Sequence, residues 1–294
     1  MSDELPRGVI SSADRRRPSV RWTLRICQPL LLLAVAVAGL GPILWTVKGA
    51  LSPTQELLKD PLRLWPSDVQ WGNLASAWRE LSLGHYLLNT GVLVVGCWFF
   101  QLLVATFGAF ALSVLRPRYG RFVYHAVLAT LFIPGTTSLV ALYLVVLHLP
   151  VTGGSIGNTP WAVWLPAGAH AFNVLIMKQF FDSLPRELYE AAQVDGAGPW
   201  RLFWQIVMPM SGPIVSVVSL LAVMSAWKEF LWPMIVISSP DSQPLSVALP
   251  RLAETAQQNQ VIAGMLLSII PPLLLFLVFQ RHIVRGIGFT GLKG

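Results

Sequence analysis

Long apolar runs alternate with short polar segments along the chain, and this pattern sets the expected fold class. A helix needs about 20 mostly apolar residues to cross a bilayer, and six runs meet that length: residues 26–46, 87–113, 122–147, 161–181, 212–237 and 261–281. These runs are continuous, whereas the strands of a membrane barrel show alternating segments of about 10 residues. Because lipid admits only helices or closed barrels, the sequence predicts an all-α polytopic membrane protein with about six transmembrane helices.

Composition agrees with that pattern and leaves no room for a separate soluble domain. The chain has 294 residues, of which 54% are hydrophobic and only 12% are charged, about half the charged share of a soluble domain. The longest polar segment between runs is too short to fold alone. We therefore expect a polar tail over residues 1–25, a transmembrane domain over residues 26–284 and a second tail over residues 285–294.

The position of the basic residues predicts how the chain is oriented. The net charge is +7, and most Lys and Arg residues precede the first run, follow the last, or lie in the segments near residues 116–121 and 183–210. This asymmetry follows the positive-inside rule, so both termini and the 183–210 loop are expected in the cytoplasm. The same distribution argues against nucleic acid as a partner. A basic start followed by an apolar stretch ending in Ala36-Val37-Ala38 also resembles a signal peptide, but an uncut first span fits the charge asymmetry better.

Several kinds of catalytic motif are absent from the sequence. No Lys follows a Gly and precedes Ser or Thr, so the chain has no phosphate-binding P-loop of that type. Cys and His residues do not show zinc-ligand spacing, and Gly-x-Ser-x-Gly is missing. The sequence therefore predicts a protein that is not an enzyme and that holds no cofactor or metal of its own.

The predicted cytoplasmic loop at about residues 183–210 has the pattern of a short helix, a stop and a second helix. Ser183 is a candidate N-cap, Pro185 suits the first turn, and Gly196 suits the C-terminal stop. Leu188, Ala191 and Ala192 follow helical spacing, so the two alanines are expected to let another backbone come close. A helix this short is marginal alone and would gain stability by docking in a partner's groove.

This loop resembles the EAA loop of ABC importer permeases of the carbohydrate, maltose-transporter type. The resemblance is carried by one ordered set of residues: Glu190, Ala191, Ala192, Asp195, Gly196, Ala197, Phe203 and Pro209. It implies the type I ABC importer permease fold, in which these residues form the coupling helix that sits in a cleft of an ATP-hydrolysing subunit. Glu190 would then face a basic partner residue, and Gly196 would permit the turn.

The resemblance extends over most of the chain through weaker motifs. Asn89-Thr90, Ile133-Pro134 and the ending Gln280–Gly286 with Lys293-Gly294 are similar to the family's pattern. Ala226-Trp227-Lys228-Glu229-Phe230 is similar to the family's Ala-Trp-Asn-Glu-Phe, with Lys228 in place of Asn. A lysine facing a cavity would favour an anionic solute, but it could equally pair with a carboxylate or reach the membrane surface.

Polar residues inside the predicted spans are the candidates for a translocation pathway. They are Asn89, Gln101, His170, Asn173, Lys228 and Glu229. Ionisable residues within spans are functional candidates, whereas His170, Asn173 and Gln101 have inter-helix hydrogen bonding as the alternative. Trp161, Trp164 and Trp232 lie near span ends, where interfacial anchoring is expected.

The resemblance implies a set of partners in a bacterial plasma (inner) membrane. These are a second permease subunit, a dimer of ATP-binding-cassette ATPases that holds ATP and Mg²⁺, an extracytoplasmic solute-binding protein, membrane lipid and a sugar. Glycerol phosphate or a polyol is the alternative solute. A stand-alone secondary transporter is the alternative class, and it would predict paired ionisable residues deep in the spans.

Overall fold

The computed structural model describes residues 18–150 and 152–288, without the side chains of residues 19, 21 and 280–288. The described residues form helices and no strand: α1 (Pro18–Leu51), α2 (Thr54–Lys59), α3 (Gly72–Glu80), α4 (Leu83–Phe110), α5 (Gly120–Thr130), α6 (Leu139–Leu147), α7 (Trp161–Gly168), α8 (Ala171–Ser183), α9 (Arg186–Val194), α10 (Pro199–Leu202), α11 (Met208–Met210), α12 (Gly212–Lys228), α13 (Leu231–Val236), α14 (Leu245–Leu252) and α15 (Gln258–Gly288). π-Helical turns extend α4 over Ala111–Leu115 and join α10 to α11 over Phe203–Val207. Short 3₁₀ turns occupy Gly135–Ser138 and Pro240–Ser242.

Helix α4 is the central element of the bundle. It packs against α7, α8, α12 and α14, while α15 packs against α1, α3 and α12. Three buried apolar clusters lie along α4, one near Leu83, one near Cys97 and one near Phe110. The core is therefore spread along one long helix, and the two ends of that helix carry different functional segments.

Three of the predicted spans are continuous helices. Trp22–Leu51, Leu83–Leu115 and Gln258–Phe279 are each long and apolar enough to cross a membrane. Pro29 and Pro42 lie inside α1, and Pro271 and Pro272 lie inside α15, which confirms that proline does not end these apolar helices. The predicted N-terminal tail falls on residues 1–17, outside the described residues, and on the start of α1. The side chains of the similar ending, Gln280–Gly286 with Lys293-Gly294, also lie outside the described set.

Each of the other three predicted spans is divided by a break in the helix. The third, residues 122–147, bends by 101° between α5 and α6. The fourth, residues 161–181, is divided into α7 and α8, and the fifth, residues 212–237, is divided into α12 and α13. By length and composition, the described residues give three spanning helices, or five when the two bent pairs, α5–α6 and α10–α11 with α12, each count as one.

Local chemistry explains two of these breaks. Pro134 has no amide hydrogen and disfavours helical backbone at the residue before it, and α5 ends shortly before Ile133. After Lys228 the backbone of Glu229 is extended, and the Glu229 carboxylate accepts a hydrogen bond from the Trp232 amide at 3.2 Å. That bond satisfies a free amide in the first turn of α13, as a capping side chain does.

Gly96 of α4 lies directly against Trp164 of α7. A Cβ atom built at Gly96 would lie 2.1 Å from the indole ring of Trp164. Gly91, one turn and a half earlier on the same helix, has open space around its Cβ position. The indole of Trp164 therefore occupies the room that the missing side chain of Gly96 leaves.

We expect Gly96→Ala to destabilise the protein by about 1–3 kcal/mol, the usual cost of overpacking. Melting of the detergent-purified protein, followed by size-exclusion chromatography, measures the effect. The matched control, Gly91→Ala, should melt like the unchanged protein. Equal melting temperatures for the two variants would contradict this packing.

Candidate functional site

The breaks in the three divided spans converge on one cavity of about 570 Å³. The turn that follows Pro134, the junction at Ala169-His170 and the junction near Glu229 all contribute lining residues. Non-helical backbone within a membrane is tolerated where it is buried in protein or lines a water-filled cavity. The breaks therefore lie where the bundle has a cavity.

The cavity wall mixes apolar residues with hydrogen-bonding groups. Its polar side chains are Thr90, Gln101, Thr136, Ser138, His170, Ser225 and Glu229. No lysine or arginine lines it among the residues that the structure describes. Such a wall can hydrogen-bond a polar solute of small-molecule size, since ligand cavities commonly measure about 300–1,000 Å³.

Four of the six predicted pathway residues lie at or behind this wall. Gln101, His170 and Glu229 line the cavity. Asn173 lies behind Gln101, and its side-chain amide donates a hydrogen bond of 2.8 Å to Gln101 Oε1, with both residues buried. The inter-helix hydrogen bond considered for this pair is therefore present, joining α4 to α8.

The other two predicted pathway residues do not line the main cavity. The side-chain amide of Asn89 donates to the main-chain carbonyls of Asp241 and Gln243, at 2.7 Å and 3.1 Å, and so fastens the start of α4 to the 238–244 segment. Lys228 is exposed and ends α12. The pathway prediction for these two residues is not supported by their positions.

Trp232 differs from the interfacial anchor that the sequence suggested. Its side chain is buried, and its indole N–H donates to the main-chain carbonyl of Ala162 at 2.9 Å. The residue lines the cavity and ties α13 to α7. The prediction was wrong because the fifth span breaks before Trp232 and α13 packs against the bundle.

The predicted cytoplasmic loop forms helix α9, whose end is fixed by Gly196. The Gly196 backbone has φ +75°, a left-handed conformation that costs most residues with a Cβ about 1–2 kcal/mol. The amide of Gly196 donates to the carbonyl of Gln193, and the amide of Ala197 donates to the carbonyl of Ala192, at 3.0 Å and 2.9 Å. These two bonds are the Schellman arrangement, with Asp195 as the C-cap.

Helix α9 presents one face to the bundle and the opposite face outward. Tyr189 and Ala192 point inward, and Ala192 is buried. The exposed positions Glu187, Glu190, Ala191 and Val194 follow helical spacing, and Glu190 also borders the cleft beside Asp182. The expectation that both alanines face a partner is therefore wrong, since Ala192 packs inward. Ser183 is not an N-cap either, because it ends α8, where its hydroxyl donates to the Phe180 carbonyl.

Phe203 fastens the second half of the loop to α4. Its side chain is 1% exposed and stacks on Phe107 with ring centroids 4.8 Å apart, while Phe110 meets it edge to face at 5.1 Å. Ala197 packs on the same cluster, and Pro209 lies exposed in α11. The loop thus has an exposed helix, a fixed turn and a buried aromatic anchor.

A polar cluster centred on Asp182 joins α8 to the end of α4, next to the residue that Tyr189 of α9 contacts. The Asp182 carboxylate accepts hydrogen bonds from Ser113 Oγ and Lys178 Nζ, and the Arg116 guanidinium lies 3.8 Å away. Burial raises the pKa of the Asp182 carboxyl, but these hydrogen bonds and the two positive charges outweigh burial and hold the pKa below its ordinary value. Tyr189 of α9 donates to the Phe181 carbonyl next to it at 3.3 Å.

This cluster predicts a pH dependence with a defined sign. A depressed carboxyl pKa stabilises the fold above the unfolded-state pKa, about 3.9 for Asp, and the contribution is lost as pH falls through the folded-state value. Asp182→Asn should therefore lower the melting temperature by the same amount from about pH 7 to about pH 5, and the difference should shrink below about pH 4. Asp60→Asn, at an exposed position, is the control. A difference that vanishes already above pH 5 would contradict the assignment.

Sequence reasoning missed the Asp182 cluster and four polar residues that line the cavity, namely Thr90, Thr136, Ser138 and Ser225. Thr136 and Ser138 follow Pro134, and this Pro-Gly sequence is a turn signal that could have placed them in a break. Ser225 and Asp182 carry no such signal, since each lies in an apolar helical stretch whose contacts depend on the packed bundle.

Comparison with known proteins gives one family match. Residues 101–289 match the family described as "Binding-protein-dependent transport system inner membrane component". The matched segment includes α5 to α15, the loop with α9 and most of the residues that line the cavity.

Curated relatives are similar along nearly their whole length. The diacetylchitobiose uptake system permease protein of Streptomyces coelicolor is 28% identical, covering 94% of this chain and 89% of its own. The sn-glycerol-3-phosphate transport system permease protein of Pectobacterium atrosepticum is 29% identical, with 91% and 97% covered. The arabinooligosaccharides transport system permease protein of Halalkalibacterium halodurans is 28% identical, with 94% and 98% covered.

A solved structure has the same fold. It is a chain from the crystal structure of a bacterial ABC transporter involved in the import of the acidic polysaccharide alginate. The TM-score is 0.79 at 22% identity, with 93% of this chain and 99% of that chain covered. The type I importer permease fold expected from the sequence is confirmed by this likeness.

Proposed function

Because the chain belongs to the family of binding-protein-dependent transport system inner membrane components, we propose that it forms half of the translocation pathway of an ATP-driven sugar importer. In this proposal it also couples solute movement to ATP hydrolysis by a partner subunit. The chain is a transport permease, a multi-pass membrane protein and not an enzyme.

The cavity supports the pathway part of the proposal. Neutral hydrogen-bonding groups such as Gln101, Thr136 and Ser225 match the hydroxyl groups of a sugar, which both donate and accept hydrogen bonds. Two of the three cited relatives are named for saccharides. A sugar is therefore the proposed solute, and a second permease subunit would close the open side of the cavity.

The exposed face of α9 is the observation that carries the coupling part. Val194 is 87% exposed, and Ala191 and Glu190 are exposed beside it. An apolar strip with a carboxylate, held away from the bundle on a short helix, suits docking into a groove with a basic rim. Such a helix would move with the ATPase subunit and pull on the bundle through the Asp182 cluster and Phe203.

The proposed assembly follows from these two surfaces. Two ATPase subunits would bind ATP and Mg²⁺ on the cytoplasmic side, and an extracytoplasmic solute-binding protein would deliver the sugar. Both chain termini would lie in the cytoplasm of a bacterium, with the spans in its inner membrane. Closure of the ATPase pair would rock the spans as rigid bodies and switch the side to which the cavity opens.

Reconstitution into proteoliposomes tests this function. The chain, its partner permease, the ATPase and the solute-binding protein should together accumulate radiolabelled diacetylchitobiose or an arabinooligosaccharide only when ATP is supplied on the ATPase side. Omitting the ATPase should abolish uptake. Uptake by the chain alone would instead indicate a secondary transporter and overturn the proposal.

A further inference from the structure

We infer that this chain's half of the cavity is electronegative and favours uncharged solutes over anionic ones, with Glu229 as the specificity-determining residue. The inference rests on the proposed function and names the charge class of the solute. It concerns the one formal negative charge on the cavity wall among the described residues. The neighbouring Lys228 gives the opposite expectation from sequence alone, so the placement of these two side chains decides the matter.

The end of α12 separates the two charges. Lys228 is the last residue of the helix and is exposed, and it does not line the cavity. Glu229 leaves the helix with extended backbone, φ −65° and ψ 123°, and is half-buried on the cavity wall. The chain therefore turns between them, so that Glu229 lines the cavity and Lys228 does not.

Glu229 is held in place by two hydrogen bonds, one to its side chain and one to its main chain. Its Oε1 atom accepts from the Trp232 amide at 3.2 Å, and its main-chain carbonyl accepts from Ser246 Oγ at 2.7 Å. Trp232 is itself fixed by its bond to the Ala162 carbonyl. The carboxylate is thus a positioned group of the wall and not a mobile side chain.

Other charges near the cavity do not cancel this one. The first turn of α8 begins at His170 and supplies roughly half a positive charge. The start of α13 is already satisfied in part by Glu229 itself. Protein sites for phosphate or carboxylate usually rely on Arg, Lys or several free amides, and no Arg or Lys lines the described wall.

The physical consequence is a selection by charge. A carboxylate on the cavity wall repels a phosphate or uronate group that enters the cavity. The same carboxylate accepts hydrogen bonds from sugar hydroxyls, and charge-assisted hydrogen bonds are the stronger ones. An uncharged saccharide therefore fits this half of the pathway better than an anionic one such as a sugar or glycerol phosphate.

Charged thiol reagents measure the cavity potential without knowledge of the solute. The two native cysteines, Cys27 and Cys97, are replaced by Ala, and Thr136→Cys places a reporter on the cavity wall. Membrane vesicles from cells that express the complete importer are treated at about pH 8, where an ordinary histidine is neutral. Rates with a cationic and an anionic methanethiosulfonate are each normalised to the exposed external reporter Ser155→Cys.

The cationic reagent should react roughly three- to tenfold faster than the anionic one, as expected for a single partly offset charge that lines the same cavity. Glu229→Gln, which retains an oxygen for the Trp232 amide, should bring the ratio close to one. Lys228→Gln should leave the ratio unchanged. A wild-type ratio of one or below, or a larger change from Lys228→Gln than from Glu229→Gln, would overturn the inference.

Uptake on the same vesicles separates this inference from the proposed function. ATP-dependent uptake of diacetylchitobiose with little uptake of sn-glycerol 3-phosphate supports both. Faster uptake of sn-glycerol 3-phosphate overturns the charge selection and leaves the importer assignment intact. Uptake that does not depend on ATP overturns the importer assignment, while the reagent ratio still tests the electronegative wall.

Discussion

Gly196→Val is expected to lower solute-stimulated ATP hydrolysis at least about tenfold while the importer still assembles. The Gly196 backbone has φ +75°, and a β-branched residue is strongly disfavoured there. The helix would then end elsewhere and turn the exposed face of α9 away from its proposed groove. A change of about 1.4 kcal/mol in docking corresponds to a factor of ten.

The neighbouring glycine supplies the matched control. Gly198 has φ −70° and open space around its Cβ position, so Gly198→Ala should hydrolyse ATP at the unchanged rate. Hydrolysis is measured on the reconstituted importer with saturating solute-binding protein, and assembly is measured by co-purification. If Gly196→Val hydrolyses ATP at the unchanged solute-stimulated rate, this turn has no role in coupling.

Phe203→Ala is expected to have the largest effect on stability, about 3–5 kcal/mol. The ring is 1% exposed and contacts both Phe107 and Phe110, so the smaller residue leaves a cavity at the base of the loop. Thermal unfolding in detergent measures this cost. Phe122→Ala removes a ring that is 78% exposed and should change the unfolding temperature little; equal losses for the two variants would show that Phe203 is not an anchor.

Local chemistry made the loop predictable, because its signals act within a few residues. The stop at Gly196 follows from the left-handed backbone that a Schellman end requires. The facing of Ala191 and Ala192 was not predictable, because both suit a helix equally and only the contact with α4 and α8 turns Ala192 inward. The sequence therefore defined the helix and its end, while the bundle decided which face stays exposed.

The divided spans show where apolar pattern loses its predictive value. Apolar residues flank both His170 and the Lys228-Glu229 pair, so a long apolar segment indicates membrane depth without indicating whether the helix is broken. Of the three breaks, only the one at Pro134 has a local signal in the sequence. For the same reason Lys228 and Glu229, adjacent in sequence, could not be assigned to opposite sides of a helix end.

The central claim is that an ATPase subunit binds α9 on the cytoplasmic side of the membrane. The accessibility of residue 194 to a thiol reagent tests this claim most directly. In a background without Cys27 and Cys97, Val194→Cys is treated with a membrane-impermeant maleimide in inverted and right-side-out vesicles, with Ser155→Cys as the external control. The account predicts labelling of Val194→Cys only in inverted vesicles stripped of the ATPase, and protection when the ATPase is added back. Labelling from the outside, or labelling that the ATPase does not reduce, would contradict it.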